Sequence, residues 1–256
     1  MEISFIKAHG TGNDFIVILD SAEKINLSAS QIKELCRWHT GIGADGLIRI
    51  IPDEEAEFKM LYYNSDGEEA TFCGNGSRVA SLLAYKAGWT DSDRFTFIAG
   101  DGKHEAYVKP NNIVGVSINV LSEIKEYEDG FWINTGVPHF VIPIKDFDTL
   151  KNMDVNQEAL KWRHDERFKP EGVNVTFIAL KDGRVFVRTF ERGVERETLS
   201  CGSGAVAAAL VSKKIFNLGK PVNIVYPGGE LRVYDEETQI ILEGPAQEVF
   251  KGIVQI

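Results

Sequence analysis

FCGNGSRVA at residues 72–80 and SCGSGAVAA at residues 200–208 each set a cysteine before a glycine-spaced turn and the start of an apolar run. The runs continue as VASLLAY (79–85) and AVAAALV (205–211), apolar nearly all round. A helix of that composition is expected to be buried on every side, unlike an amphipathic surface helix. Aligning Cys73 with Cys201 fixes an offset of 128, half of the 256-residue chain. Under it Glu69, Cys73, Gly74, Gly76, Ala80 and Leu82 fall on Glu197, Cys201, Gly202, Gly204, Ala208 and Leu210. TGNDFIV (11–17) and TGVPHFV (135–141) echo one another once one inserted residue is allowed. The pattern predicts two similar lobes from duplication. A sheet wrapped around each central helix would leave the helix N-terminus at the open end, and the two open ends are expected to meet where the lobes join.

Outside these helices the chain reads as strands: 47–51, 58–64, 94–100, 104–110 and 113–120 in the first half, then 139–144, 174–180, 184–190, 222–227, 231–235 and 239–244. Hairpin signals join several of them, at Asp101-Gly102, Asp182-Gly183 and Pro227-Gly228-Gly229. Helical patterns are few, over 28–38, 74–87, 156–166 and 202–216. Runs of hairpins with one strongly apolar helix per half predict an α+β fold of mostly antiparallel sheets. The expected lobes are 1–118 and 119–246. VFKGIVQI (249–256) is expected to return and pair near ISFIKA, so that 247–256 joins the first lobe.

Composition narrows the function classes. Hydrophobic residues at 43% and charged residues at 26% are ordinary for a globular protein. With 28 Lys and Arg against 38 Asp and Glu, the net charge is −10, which disfavours nucleic acid or an acidic membrane surface as a partner. A small charged metabolite in a locally basic pocket remains compatible. The opening MEISFIKAHG has neither the basic start nor the apolar run of a signal peptide, and no stretch is long enough to span a bilayer, so a cytoplasmic protein is expected. The odd cysteine count (Cys36, Cys73, Cys201) fits a reducing compartment better than a disulfide framework. The five histidines are scattered without metal-ligand spacing. GIGADG (41–46) formally fits GxGxxG, but it follows a helix and precedes a strand, the reverse of a dinucleotide site.

A cysteine at a helix N-terminus lies beside unpaired N–H groups and the positive end of the macrodipole. Both favour thiolate, and such placement lowers a thiol pKa from about 8.5 to roughly 3.5–7.5. The glycines that follow let a ligand approach the backbone, where the same amides can hold a carboxylate. Two such units facing one carbon can invert it: a thiolate takes a proton on one face and a thiol returns one on the other. Cys36 reads differently. It shares an apolar face with Ile32 and Leu35 and is expected to be a small buried hydrophobe.

FCGNGSRVA, SCGSGAVAA, HGTGNDFIV (9–17), HTGIGADGLI (39–48), YNSDG (63–67), EGVNVTFI (171–178) and ERGVERETLSCGSG (191–204) together resemble the diaminopimelate epimerase family, in the family's order and over most of the chain. The resemblance implies two lobes, each a rolled β-sheet around a central helix. It also implies an isomerase of lysine and peptidoglycan precursor synthesis working without pyridoxal phosphate or metal, and a possible homodimer. Cys73 and Cys201 match the acid/base pair. Gly74, Asn75, Gly202 and Ser203 match the amides around the reacting carboxylate. Asn13, Asn64, Asn174, Glu191 and Arg192 match residues that fix the far amino acid centre, and His139 matches a histidine that orients rather than transfers a proton. The chain departs from the family at Val137, where Asn usually precedes Pro-His, so the far end loses one potential polar contact.

Other readings remain open on the residues alone. A proline or hydroxyproline racemase also pairs two cysteines, but its first cysteine usually sits in CGHG, not the CGNG of 73–76. A thiol redox protein would work through a Cys73–Cys201 disulfide, and a cysteine hydrolase would need only one of the two. A binding protein would tolerate alanine at both. Asn64 before SDG also suits a turn, Glu191 and Arg192 suit a solvated ion pair, and His9 and His139 suit packed histidines.

Overall fold

The computed structural model describes residues 2–256, which divide into two compact units, residues 2–116 with 244–256, and 117–243. In the first unit the chain runs β1 (Glu2–Gly10), β2 (Asn13–Leu19), α1 (Ala29–Cys36), β3 (Gly46–Ile51), β4 (Phe58–Asn64), β5 (Glu69–Ala70), α2 (Gly74–Lys86), β6 (Arg94–Ala99), β7 (Gly102–Lys109) and β8 (Ile113–Ile118). β1 and β2 pair antiparallel, β2 and β3 parallel, and β3 and β4 antiparallel. β4 then holds β5 antiparallel and β6 parallel, and β6, β7 and β8 follow as antiparallel neighbours. The C-terminal strand, Gln247–Gln255, lies antiparallel on the other side of β1.

The second unit repeats this wiring. Its elements are β9 (Lys125–Tyr127), β10 (Gly130–Asn134), β11 (Pro138–Pro143), α3 (Phe147–Asn152), α4 (Val155–Arg163), β12 (Asn174–Lys181), β13 (Arg184–Glu191), β14 (Arg196–Thr198), α5 (Gly202–Phe216), β15 (Val222–Tyr226), β16 (Gly229–Asp235) and β17 (Ile240–Pro245). β10 and β11 are antiparallel, β11 and β12 parallel, and β12 and β13 antiparallel. β13 holds β14 antiparallel and β15 parallel, followed by the antiparallel β15–β16–β17. The duplication inferred from a short motif therefore extends through the whole strand order of each unit. The hairpin reading anticipated the antiparallel pairs. It missed the two parallel pairs in each unit, which form because α1, or α3 with α4, and later the central helix, carry the chain back across the sheet.

Each sheet is packed on both faces. In the first unit α2 lies against β1, β2, β3, β4 and β7, and every residue from Gly74 to Ala84 is buried. On the opposite face α1 covers Ile16, Ile18 and Leu47, with Cys36 buried beside Ile32 and Leu35. Burial on both faces explains why FIVIL reads as a continuous apolar run instead of an alternating one. In the second unit α5 is the enclosed helix, while α3 and α4 close over Phe140, Val175, Phe177 and Ala179. The six-residue α3 was not expected from the sequence. It starts on an Asp146 cap that accepts from the Thr149 amide. No helix among the described residues is long and apolar enough to cross a membrane.

Candidate active site

Both glycine-flanked cysteines are helix N-caps. Cys73 has an extended backbone (φ −144°, ψ 111°), and its Sγ accepts the Gly76 N–H at 3.4 Å. Cys201 repeats the arrangement (φ −126°, ψ 118°), with Sγ accepting the Gly204 N–H at 3.4 Å. Here sulfur takes the place that Ser, Asp or Asn oxygen usually holds at a helix start. Each sulfur thus touches an amide that the helix leaves unpaired, at the positive end of the macrodipole.

Around Cys73 the first unit gathers Asn13 and Asn75. Asn13 Oδ1 lies 3.8 Å from Cys73 Sγ and accepts from Asn75 Nδ2 at 3.3 Å, while Asn13 Nδ2 donates to Asp45 Oδ2 at 2.9 Å. Because a carboxylate only accepts, Asp45 fixes which end of the Asn13 amide faces the sulfur. Asp45 belongs to the GIGADG stretch. Its part in the site went unread because that motif was weighed only as a nucleotide loop and as a family match. Asn64 ends β4 and opens a turn in which its carbonyl accepts the Gly67 N–H at 3.0 Å. Its side-chain amide has no partner among the described residues, so the turn-forming reading accounts for its backbone and leaves the amide available.

Around Cys201 the second unit builds a buried polar chain. Ser203 Oγ lies 3.4 Å from Cys201 Sγ and 2.9 Å from His139 Nε2. His139 Nδ1 is 2.9 Å from Thr176 Oγ1, Thr176 is 3.2 Å from Thr189, and Thr189 is 2.9 Å from the Tyr226 hydroxyl. The Ser203 carbonyl is held by the Thr135 hydroxyl at 2.9 Å. Asn174 sets the polarity of the chain: its Oδ1 accepts the Arg192 N–H at 2.8 Å, so its Nδ2 donates to His139 Nε2 at 3.3 Å. Nε2 is therefore an acceptor, Nδ1 carries the hydrogen, and the ring is neutral. Thr176, Thr189 and Tyr226 were missed because each sits in an ordinary strand pattern, and only cross-strand register brings them together.

His139 is fully buried, and burial, with Arg192 adding to it, pushes its pKa from 6.5 down to about 3. The unfolded imidazole binds a proton below its ordinary value and the folded one does not, so the unfolded state gains protons first. Stability is expected to fall as pH drops from 6.5 toward 3. His139→Gln should flatten that slope, which urea titrations across the window would measure. The Tyr226 phenol is pushed well up by burial and by the neighbouring Cys201, and stays protonated.

Glu191 accepts the Thr198 hydroxyl, and Arg192 Nη1 reaches the Glu171 carbonyl at 3.3 Å and its carboxylate at 3.5 Å. The Arg192 side chain is 29% exposed, so its guanidinium is held loosely and open to an incoming carboxylate. His9 serves its own turn, accepting the Gly12 N–H at 3.3 Å. Cys36, in the α1 cluster, has its thiol pushed up to about 12 by burial and is inert as an acid or base.

Comparison with known proteins agrees with this geometry. The family model described as diaminopimelate epimerase matches residues 5–119 and 131–249. Diaminopimelate epimerase of Flavobacterium psychrophilum is 40% identical to the chain, over 97% of this chain and 98% of that protein. That of Aquifex aeolicus is 38% identical, over 98% and 97%. Among solved structures, a Bacillus anthracis phenazine biosynthesis protein of the PhzF family superposes with a TM-score of 0.80 at 16% identity, each chain covered in full. A hydroxyproline epimerase from Agrobacterium vitis does so with 0.68 at 15%, over 99% of this chain and 92% of that one. These two likenesses establish the fold. With a family match along both units and relatives of near-equal length, the chain belongs to the diaminopimelate epimerase family.

Proposed function

We propose that this protein is an isomerase interconverting LL- and meso-2,6-diaminopimelate without a cofactor, with Cys73 and Cys201 as its acid/base pair. The observation that carries the reading is the repeated cap, one cysteine sulfur on the unpaired amides of one buried helix in each unit. In either direction one cysteine, as thiolate, takes the α-proton, and the other, as thiol, delivers a proton to the opposite face. The α-proton is only weakly acidic, so charge growing on the substrate carboxylate must be met by fixed donors. The N–H groups of Gly74, Asn75, Gly202 and Ser203 are suited to this, because a helix start presents them already oriented.

The far amino acid centre is assigned to Asn13, Asn64, Asn174, Glu191 and Arg192. A carboxylate there would displace the loose Glu171 contact and take Arg192 in a two-pronged grip, while Glu191 and the amide carbonyls accept from the ammonium. Removing such a charged hydrogen bond costs roughly 10- to 150-fold. Arg192→Ala is expected to lower kcat/KM for diaminopimelate by that factor, and steady-state kinetics checks it. His139 orients Ser203 and exchanges no proton with substrate. The lobes of this reading are 1–118 with 247–256, and 119–246. The enzyme is taken to work in the cytoplasm as a homodimer, which sedimentation analysis would test.

A panel of LL-diaminopimelate, L-proline and trans-4-hydroxy-L-proline, followed by change in optical rotation, tests the substrate assignment. Change with diaminopimelate alone is expected. Change with proline alone would overturn the reading, since a proline ring has no second amino acid centre for Asn174 and Arg192 to hold.

A further inference from the structure

Behind each cysteine stands a second pair of residues, and the strand registers put the two pairs at matching positions. In β1–β2 the pairing starts at Gly10 and Asn13, with Asp14 next; in β10–β11 it starts at Asn134 and Pro138, with His139 next. Across the parallel β11–β12 pair Asn174 faces His139, and across β2–β3 Gly46 faces Phe15. Asp45 therefore lies beside Asp14 as Asn174 lies beside His139, and its N–H reaches the Asp14 carbonyl at 3.1 Å. His139 and Asn174 together set the Ser203 hydroxyl 3.4 Å from Cys201 Sγ. In the first unit their places are taken by two carboxylates.

Asp14 and Asp45 interlock. The Asp45 N–H also lies 3.0 Å from Asp14 Oδ1, and the Asp14 N–H donates to Asp45 Oδ2 at 3.3 Å. Asp45 Oδ2 takes Asn13 Nδ2 as well, at 2.9 Å, which leaves the Asn13 oxygen on the Cys73 side, 3.8 Å from Sγ. Two carboxylates this close repel unless a cation joins them. Lys7 is that cation. It is buried, with Nζ 2.6 Å from Asp14 Oδ2, donating to the Gly43 carbonyl and lying 5.4 Å from the centre of the Trp38 ring. Burying a lysine is costly, and the fold does not require it. Lys7 stands three residues before Gly10; Phe131 stands three before Asn134, and the second unit builds the same strand pairs around it. The buried charges serve what they hold, which is Asn13.

We propose that Asp45, anchored by Asp14 and Lys7, is a positioning residue for Cys73, locking the Asn13 amide with its oxygen toward the sulfur as an acceptor for S–H. The inference rests on the acid/base reading of Cys73 and adds how its hydrogen is aimed. Asn75 Nδ2 donates to the same oxygen at 3.3 Å and favours the same orientation. The two cysteines then have unlike neighbours. The Ser203 hydroxyl can turn to accept from a Cys201 thiol or to donate to its thiolate, whereas Asn13 Oδ1 can only accept. Without Asp45 the Asn13 amide is released to turn its N–H groups to the sulfur, where they stabilise thiolate instead. Asp45 acts through Asn13.

The test is thiolate absorbance against pH on full-length chains carrying Cys201→Ser, so that Cys73 is the site thiol; Cys36 is silent until about 12. Asp45→Ala is made in that chain and in its Asn13→Leu derivative. Loss of the carboxylate charge lowers the Cys73 midpoint in both, but release of the amide lowers it only where Asn13 is present. Below the midpoint, the gain in thiolate with Asn13 present is expected to exceed the gain without it by roughly tenfold or more. Asp45→Asn can still accept both N–H bonds made to Oδ2 and should shift the two chains equally. The elements packed around the start of α2 also carry Lys7 and His9 on β1, Arg49 on β3, Tyr62 on β4 and His104 on β7, with Arg78 on α2 itself. All are common to every chain, so their effects cancel. Equal shifts from Asp45→Ala in the two chains, a midpoint that stays or rises with Asn13 present, or an Asn13-dependent shift in Asp45→Asn matching that of alanine would each overturn the proposal. Should Asp45→Ala not fold, Asp45→Ser, also too short to reach the amide, is read in its place. No substrate is involved, so the outcomes separate from those of the epimerase reading. An Asn13-dependent shift in a protein that turns over no diaminopimelate keeps this inference and loses that reading. Equal shifts in an active epimerase do the reverse.

Discussion

Alanine at Cys73 or at Cys201 is expected to lower the rate of inversion by on the order of 10²–10⁴-fold, the usual loss when a positioned acid or base is removed. Each cysteine is needed in both directions, once as base and once as acid, so neither loss is confined to one isomer. The fold should survive. Each substitution removes one sulfur cap from an amide 3.4 Å away, a loss of about 1 kcal/mol in a helix buried along its length. Serine supplies the control, because its hydroxyl can still cap the helix but is far too weak an acid to exchange with the α-proton. Cys73→Ser and Cys201→Ser should therefore melt close to wild type and remain inactive. Activity surviving in one alanine variant would point to a single nucleophile, as in a hydrolase. Melting curves beside optical-rotation assays read both quantities on the same samples.

The second large effect is on stability. Removing 247–256 strips from β1 a strand paired with it from Glu2↔Gln255 to His9↔Gln247. The edge-on contact of Phe5 with Phe250, centroids 5.9 Å apart, goes with it, as does the cover that Val254 and Ile256 give the Ile3 and Phe5 cluster. β1 then becomes an open, long and apolar edge, prone to pair with other chains. The first unit is expected to lose more than about 4 kcal/mol, the range reserved for disrupted cores, and to aggregate. Gly252→Val is a milder probe of the same contact. A Cβ at Gly252 would lie 2.7 Å from the Phe5 ring, and overpacking of this kind costs about 1–3 kcal/mol. Urea unfolding of both variants measures the two losses, and a truncated chain as stable as wild type would remove the C-terminal strand from the core.

Much of the frame was legible from local chemistry. Helices at 74 and 202 begin where a cysteine, a glycine step and an apolar run change the periodicity, and the structure starts α2 at Gly74 and α5 at Gly202. The strand 58–64 was read from its own pattern without error, as was the partnering of Cys36 with Ile32 and Leu35. What escaped depends on contacts between distant segments. The parallel pairs β2–β3 and β11–β12 cannot be told from antiparallel ones by alternation, because both faces of these strands are buried. Arg78 stood inside the first motif quoted, yet nothing local says that its side chain folds back onto Gly74. The chain from His139 through Thr176 and Thr189 to Tyr226 joins four strands, so no window of sequence contains it. The Asn13 amide was expected to serve substrate, and the structure adds that Asp45 fixes its orientation.

The most direct test of two cysteines sharing one inversion is the early fate of hydrogen in deuterated water, followed by NMR with LL-diaminopimelate, wild type, Cys73→Ala and Cys201→Ala. A thiol carries a single exchangeable hydrogen, so the donor sulfur delivers deuterium while the proton taken by the other stays on the opposite side. In wild type, the first meso product should carry deuterium at the inverted carbon while unreacted substrate keeps its protium, and neither variant should form labelled product. Meso product that retains the substrate's own hydrogen, or labelled product from either alanine variant at the wild-type rate, would contradict the account.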